Sequence, residues 1–441
     1  MKMKKTHLLA LLSRLSPTLA ASGTFSILSS NVAGLPAFLN NNEVPGDKAT
    51  NTELIGQRMV ENAYDIVHVQ EDFNYHAHLY ATTTEYAYRT ATSGGVPFGS
   101  GLNTLSNYPW IDFERVKWET CENASGADCL TPKGFTVMRV RVAEGVYLDF
   151  YNLHADAGSE DADVTARSAN LQQVADYIDT HSAGNAVFVF GDTNARYTSA
   201  GENIRVFQSQ NGMVNPWVEL ILDGEEPTEG TDAILCENPS TSLTCETVDK
   251  IFYRGSPAVT LRATSWSYES KKFLNNNGSI LTDHNPIASS FAWTQSDEFR
   301  MSDLFGGPHG TWFNDLPTLS TAQNAKVSTI SLRGAERLDG ISLTLSTGET
   351  LSHGGTGGDL SELVLEDDEF WTQTRLCQAK YNDHTRIFYI AITTSKGNTV
   401  AVGAETDDCT VFEAESGWQA IGVYGRSGEE VDQLGAVYGL Q

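Results

Sequence analysis

The apolar runs of this chain repeatedly end in side chains that can bind a cation or move a proton. Phe25 to Ser30 delivers Asn31, and Asp65 to Val69 delivers Gln70 and Glu71. Tyr147 to Leu153 passes Asn152 and reaches His154, and Ala186 to Phe190 delivers Asp192 and Asn194. Asp249-Lys250 opens the run IFYRG, and Asp283-His284-Asn285 opens a last run near Pro286. Singly, an Asp or Asn after a strand is a turn former or a helix cap. As a set they describe one chemistry. Carboxylate and amide oxygens suit a hard divalent cation, Mg2+ or another of its kind, while the CxxC spacing of a zinc site is missing. Two histidines then supply a general base and a general acid, the complement needed where a cation stabilises charge on a phosphoryl oxygen.

Such residues converge only if the elements carrying them run side by side. From Gly23 to about Trp293, strand-like runs alternate with helical patterns. Val164, Leu171, Val174 and Ile178 keep a helical spacing behind Glu160 and Asp161, and a second helix is expected after Asn51. Asp65–Val69 and Ala186–Phe190 are apolar on both faces, as strands covered on both sides must be. A layered α/β domain follows, in which ligands bind where strands end. The hairpin Val140 to Tyr147 turns at Glu144-Gly145. Beyond the polar stretch Thr294 to Glu298 the helical period nearly vanishes. Short strands such as Val327–Leu332, Leu338–Leu345 and Thr385–Thr394 then alternate with glycine-rich turns, as in an all-β sandwich, barrel or prism.

Composition limits the partners. The 441 residues carry 56 acidic and 29 basic side chains, a net charge of -27, and both halves are acidic. A surface of that sign repels polyanions, so nucleic acid is disfavoured as a partner unless a local basic groove exists. Lys2, Lys4 and Lys5, an apolar stretch from Leu8 and the small residues at Ala20-Ala21 read as an export leader over 1–21. No later apolar run is long enough to span a membrane. Six cysteines allow 15 pairings. Their spacing makes neighbours in sequence the simplest choice: Cys121 with Cys129, Cys236 with Cys245 and Cys377 with Cys409. Disulfides agree with a secreted, extracellular protein. Asn123-Ala124-Ser125 and Asn277-Gly278-Ser279 are glycosylation triplets.

The motifs SSNVAGLP, VQED, NLHADAG, GDTN, VDKIFY and TDHNPI, in that order, resemble the endonuclease/exonuclease/phosphatase superfamily of deoxyribonuclease I-like phosphodiesterases. The resemblance implies a four-layer α/β sandwich over 22–293 and a magnesium-dependent phosphodiester hydrolase. Glu71 would hold the metal with Asn31 beside it, and Asp283 joins them as a candidate ligand. Asp192 and Asn194 would orient the phosphate and the attacking water. His284, flanked by Asp283 and steered by Asp249 or Asp192, would be the base, and His154 would protonate the leaving oxygen or stabilise the phosphorane-like transition state. The segment around Lys133-Gly134-Phe135 resembles secreted sphingomyelinase-type members, which makes Lys133 a candidate for contact with a substrate phosphate and a phospholipid such as sphingomyelin the favoured substrate. Asn152, in NLHADAG, is a further candidate for substrate contact. After a linker at 294–300, residues 301–441 resemble jacalin-related lectins, through FGGPHGTWFND, HGGTGGDLSELVL and IGVYGRSGEEVDQLGAVY. That resemblance implies an all-β C-terminal β-prism that binds glycans at Gly307 and Gly310 of one loop and at Gly428 and Asp432 of another. Glu429 and Glu430 depart from the family pattern. The competing readings are an extracellular nuclease and an inactive carbohydrate-binding or adhesion protein.

Overall fold

The computed structural model describes residues 20–40, 42–93, 99–123 and 128–441. All but the last two residues of the expected leader, and part of the first glycosylation triplet, lie outside them. Two sheets form the amino-terminal unit. One has six strands in the order Val259–Tyr268, Ile287–Gln295, Ser22–Asn31, Ile66–Gln70, Asn103–Ser106 and Tyr88–Arg89. The other has five: Trp110–Lys117, Gly134–Ala143, Val146–His154, Ala186–Asp192 and Asp249–Arg254.

The two-residue period of a strand sends alternate side chains to opposite layers. Phe25 and Ile27 of the first strand enter the core between the sheets, while Leu28 faces the outer helices. Between the sheets the rings of Phe150 and Phe188 stack at 4.8 Å, and Phe25 meets Phe188 edge-on at 5.5 Å. The Lys48–Glu61 helix lays Ile55 and Met59 on the six-stranded sheet beside Leu28 and Val67. It begins three residues before the expected Asn51 because Asp47 caps it, accepting from Thr50 N at 2.9 Å. The Asp161–His181 helix covers the five-stranded sheet with Leu171, Val174 and Ile178. Helix, sheet, sheet, helix is the four-layer sandwich.

Residues from Phe299 onward form three further sheets, of five, four and four strands, around Ile330, Leu343, Ile390, Val423 and Val437. This is the β-prism. The three disulfides join the cysteine neighbours in sequence. No helix among the described residues is long and apolar enough to cross a membrane.

The expected linker is not a loose tether. The Ile287–Gln295 strand continues through its first residues, and Gln295 N bonds Ala21 O at 2.8 Å. The two units then lock. Asp303 accepts Arg141 Nε and Nη2 at 2.9 and 2.6 Å and Gly145 N at 2.9 Å. The Arg139 guanidinium lies 3.4 Å from the Trp312 ring centroid. A bulge between Ile111 and Glu114 turns Asp112 inward at φ 56°, where its Oδ2 accepts Arg139 Nη1 and Arg426 Nε, both at 2.9 Å. Every residue of the amino-terminal unit in these contacts lies at one end of the sandwich, where Val146–His154 and Ala186–Asp192 begin.

Candidate active site

The chemistry-bearing side chains gather at the other end. Strand register explains the meeting: His154 pairs with Asp192, Asp192 pairs with Asp249, and Asn31 pairs with Gln70. Two parallel crossovers bring strand ends together, and one sharp turn adds His284.

Asp192 is the hub. It is buried, and its Oδ2 accepts Asn31 Nδ2 at 3.1 Å and faces His154 Nε2 at 3.5 Å and His284 Nε2 at 3.7 Å. Its Oδ1 accepts Asn194 N at 3.0 Å, and Asn194 takes the left-handed conformation that this return bond needs (φ 50°). His284 Nδ1 lies 2.9 Å from Asp249 Oδ2. Lys133 Nζ lies 3.2 Å from His154 Nε2 and pairs with Asp128.

These neighbours set the proton affinities. Burial, reinforced by Asp249 and opposed by His284, pushes Asp192 up to about 6. Burial works against a charged His284, yet Asp249, Asp192 and Asp283 outweigh it and hold the imidazole well above its ordinary value. Burial, then the positive charges of Lys133 and His284, hold His154 well below its own.

The donor set fits a hard divalent cation. Among the described residues, Glu71 Oε2 and Asp249 Oδ1 are buried without a hydrogen-bond partner, and Asp192, Asp249 and His284 bring ligand atoms within 4.8 Å of one another. Carboxylate oxygens left unpaired and out of water are costly, and a cation satisfies them. Its charge would also offset the field that protonates His284.

Three of the expected residues have further partners or stand apart. Asn31 stays beside Glu71: its Oδ1 accepts Ala33 N at 3.0 Å, and its Nδ2 bridges Asp192 and Glu71, each at 3.1 Å. Asp283 is exposed on the outer side of its turn, accepts Asn42 Nδ2 at 2.9 Å, and stands outside the clustered donor atoms. Asn152 is fully buried, and its amide is taken up by protein groups. It accepts Gln70 Nε2 at 2.8 Å and donates to Val69 O and Asn103 O at 3.1 Å, pinning the two sheets together.

Sequence reasoning missed Lys48, whose buried ammonium bonds Ala33 O, Leu35 O, Asn40 O and Asn42 Oδ1 at 2.7–2.9 Å and so braces the loop after Asn31. It also missed Asp128. The only signal was its place next to Cys129, a few residues before Lys133.

In the prism the two expected sugar loops meet. Gly307 N bonds Asp432 O at 2.8 Å, and a Cβ on Gly310 would come 2.5 Å from Asp432 Oδ2. Gly428 N bonds Glu430 O at 2.9 Å. The Asp432 carboxylate, however, pairs with Arg386. Burial pushes it up to about 6 despite that cation. Glu430, the departure from the family pattern, is taken by Arg337 at 2.6 Å.

A four-layer sandwich with imidazoles and carboxylates converging at its strand ends is the architecture of the endonuclease/exonuclease/phosphatase superfamily, here joined to a jacalin-type prism. The family model Endonuclease/Exonuclease/phosphatase family 2 matches residues 47–290, and the chain belongs to that family; the Jacalin-like lectin domain model matches 302–437. Sphingomyelinases of Mycobacterium tuberculosis and Mycobacterium bovis are 39% identical over 282 residues, 63% of this chain and 54% of theirs. The chain thus spans about half the length of these curated relatives. Among solved structures, Staphylococcus aureus beta toxin is 17% identical, covering 60% of this chain and 99% of its own at a TM-score of 0.43. Malaysian banana lectin is 22% identical, covering 32% of this chain and 99% of its own at a TM-score of 0.29.

Proposed function

We propose that this protein is a secreted, divalent-cation-dependent phosphodiesterase that hydrolyses a phospholipid such as sphingomyelin, and that its prism binds glycans. The observation that carries the reading is the convergence of His154, His284 and Asp249 on Asp192, with unpaired carboxylate oxygens beside them. Glu71, with the Asp192–Asp249 pair, would hold magnesium, which supplies a positive charge for the phosphoryl oxygen. Asp249 keeps the His284 Nδ1 proton, leaving Nε2 to take a proton from the attacking water. Asp192 and Asn194 position that water and the phosphate. His154, beside Lys133, serves the leaving oxygen. The substrate class rests on the 39% identity to sphingomyelinases and on a net charge of -27, which disfavours DNA. Export is supported by the leader-like start and three disulfides. A sugar in the prism meets an Asp432–Arg386 pair, not a lone carboxylate.

The test is hydrolysis of sphingomyelin, phosphatidylinositol and DNA by purified protein, with magnesium and with chelator, alongside His284→Ala. Chelation and the substitution should each abolish lipid hydrolysis. Cleavage of DNA with the lipids untouched would reverse the substrate assignment, and full activity of His284→Ala would remove the base.

A further inference from the structure

Among the described residues, five large apolar side chains are at least 60% exposed: Phe38 at 85%, Leu130 at 75%, Val364 at 71%, Ile234 at 70% and Leu235 at 60%. Four of the five sit on loops at the catalytic end of the sandwich, and Leu39 and Leu243 add to them at 55% and 45%. Scattered apolar residues on a surface need no explanation, whereas a concentration around one site marks an interaction surface.

Each loop is tied to the site or to a residue next to it in sequence. The Phe38–Leu39 loop follows Asn31, is clamped by Lys48, and reaches Asp283 through Asn42 Nδ2 at 2.9 Å. The Ile234–Leu235 loop is closed by Cys236–Cys245, and its Asn238 Nδ2 bonds Thr282 O and His284 O at 2.9 and 3.2 Å. Leu130 adjoins the Cys121–Cys129 disulfide, three residues before the Lys133 that faces His154. These tips are therefore held outward by ammonium, amide and disulfide anchors.

We propose that these three loops are the surface on which the protein sits on a zwitterionic phospholipid bilayer. The inference rests on the phospholipid reading of the active site and deepens it. A lipid phosphodiester lies in the headgroup layer, so the rim that cleaves it has to reach that plane. Apolar side chains standing around the rim then pass into the acyl boundary, where burial of Phe and Leu is favourable. The charge of -27 selects against anionic membranes and leaves zwitterionic ones as the matching surface.

The experiment uses the full chain, sedimented with vesicles of phosphatidylcholine and sphingomyelin, and assays hydrolysis of those vesicles and of a monomeric short-chain sphingomyelin. The variants are Phe38→Ser/Leu39→Ser and Ile234→Ser/Leu235→Ser, polar replacements at exposed positions that leave the core intact. Each pair should weaken vesicle binding about tenfold or more. Hydrolysis of vesicles should fall in step, and hydrolysis of the monomer should stay within about twofold of wild type. Unchanged vesicle binding in both variants would overturn the docking surface, as would tighter wild-type binding to anionic than to zwitterionic vesicles. Equal loss on vesicles and monomer would also overturn it, since the loops would then serve the site and not the membrane. Absence of hydrolysis of either lipid form by the wild type would instead sink the substrate assignment, and sedimentation would still decide whether the loops dock.

Discussion

Replacing Asp249 by asparagine keeps the shape of the side chain and removes one charge from a buried cluster. Asp249 Oδ2 lies 2.9 Å from His284 Nδ1, and no other group among the described contacts holds that nitrogen. In a His–carboxylate couple used for catalysis, this substitution costs about 10⁴ in rate, through loss of orientation and of the correct tautomer. Here Asp192 still faces the same ring, with 3.7 Å between its Oδ2 and Nε2, so part of the field survives. A loss of about 10³ in kcat is expected, or ~4 kcal/mol of barrier. Stability should move the other way or stay put. Asp192 and Asp249 are paired in register, and the second charge is one of the causes that raise the first to about 6. Without a cation, a neutral amide in place of the second carboxylate relieves that repulsion. Sphingomyelin hydrolysis in magnesium and thermal melting in chelator separate the two effects. A kcat loss under about tenfold, or a loss that simply follows a fall in melting temperature, would refute the reasoning; so would full recovery at high magnesium, which would show that Asp249 acts only through the metal it helps to hold and not through His284.

Burial holds His68 neutral, its pKa lowered to about 3, with its ring stacked 3.7 Å from Phe190. The unfolded chain takes up this proton near pH 6.5 and the folded one does not, so stability is fully present above 6.5 and falls as pH drops toward 3, by up to about 3 kcal/mol at pH 4.5. Urea unfolding of His68→Phe should show a correspondingly smaller gap between pH 7 and pH 4.5. Asp112→Asn leaves the buried Arg139 and Arg426 short of a carboxylate across the two units; it should cost ~2–4 kcal/mol, and calorimetry should show the single transition broaden or split. Asn152→Leu strands Gln70 Nε2, Val69 O and Asn103 O, and should lower urea stability by ~1–3 kcal/mol while leaving KM unchanged.

What the sequence revealed and what it hid divide along a physical line. Where a strand stops is written in local residue types, so Glu71, His154, Asp192, Asp249 and His284, which the fold gathers at one end, were legible as candidates. Continuous apolar runs likewise announced strands covered on both faces. The direction of a side chain once the strand has ended depends on distant partners. Asn152 looked like Asn194, yet one is spent between sheets and the other faces the hub. Asp283 and His284 are adjacent, and a tight turn sends one to solvent and the other to Asp249. Lys48 and Asp128 gained their roles from loops that carry no period. The contact between units was hidden for the same reason: Asp112 and Arg426 are 314 positions apart, and a bulge that no motif marks brings them together.

The prism is mounted on the end of the sandwich away from the rim. Val146 to His154 alone separates the mounting from the hub by ~26 Å at the rise of an extended strand. Because Asp303, Trp312 and Asp112 bolt the mounting down, that span acts as a strut of set length, not as a swinging arm. With the rim lying on a membrane, the sugar loops would stand well above the headgroups. The glycans within their reach would be those of tall neighbours, such as glycoproteins or long surface chains, and the lipid consumed would lie in the patch beneath them.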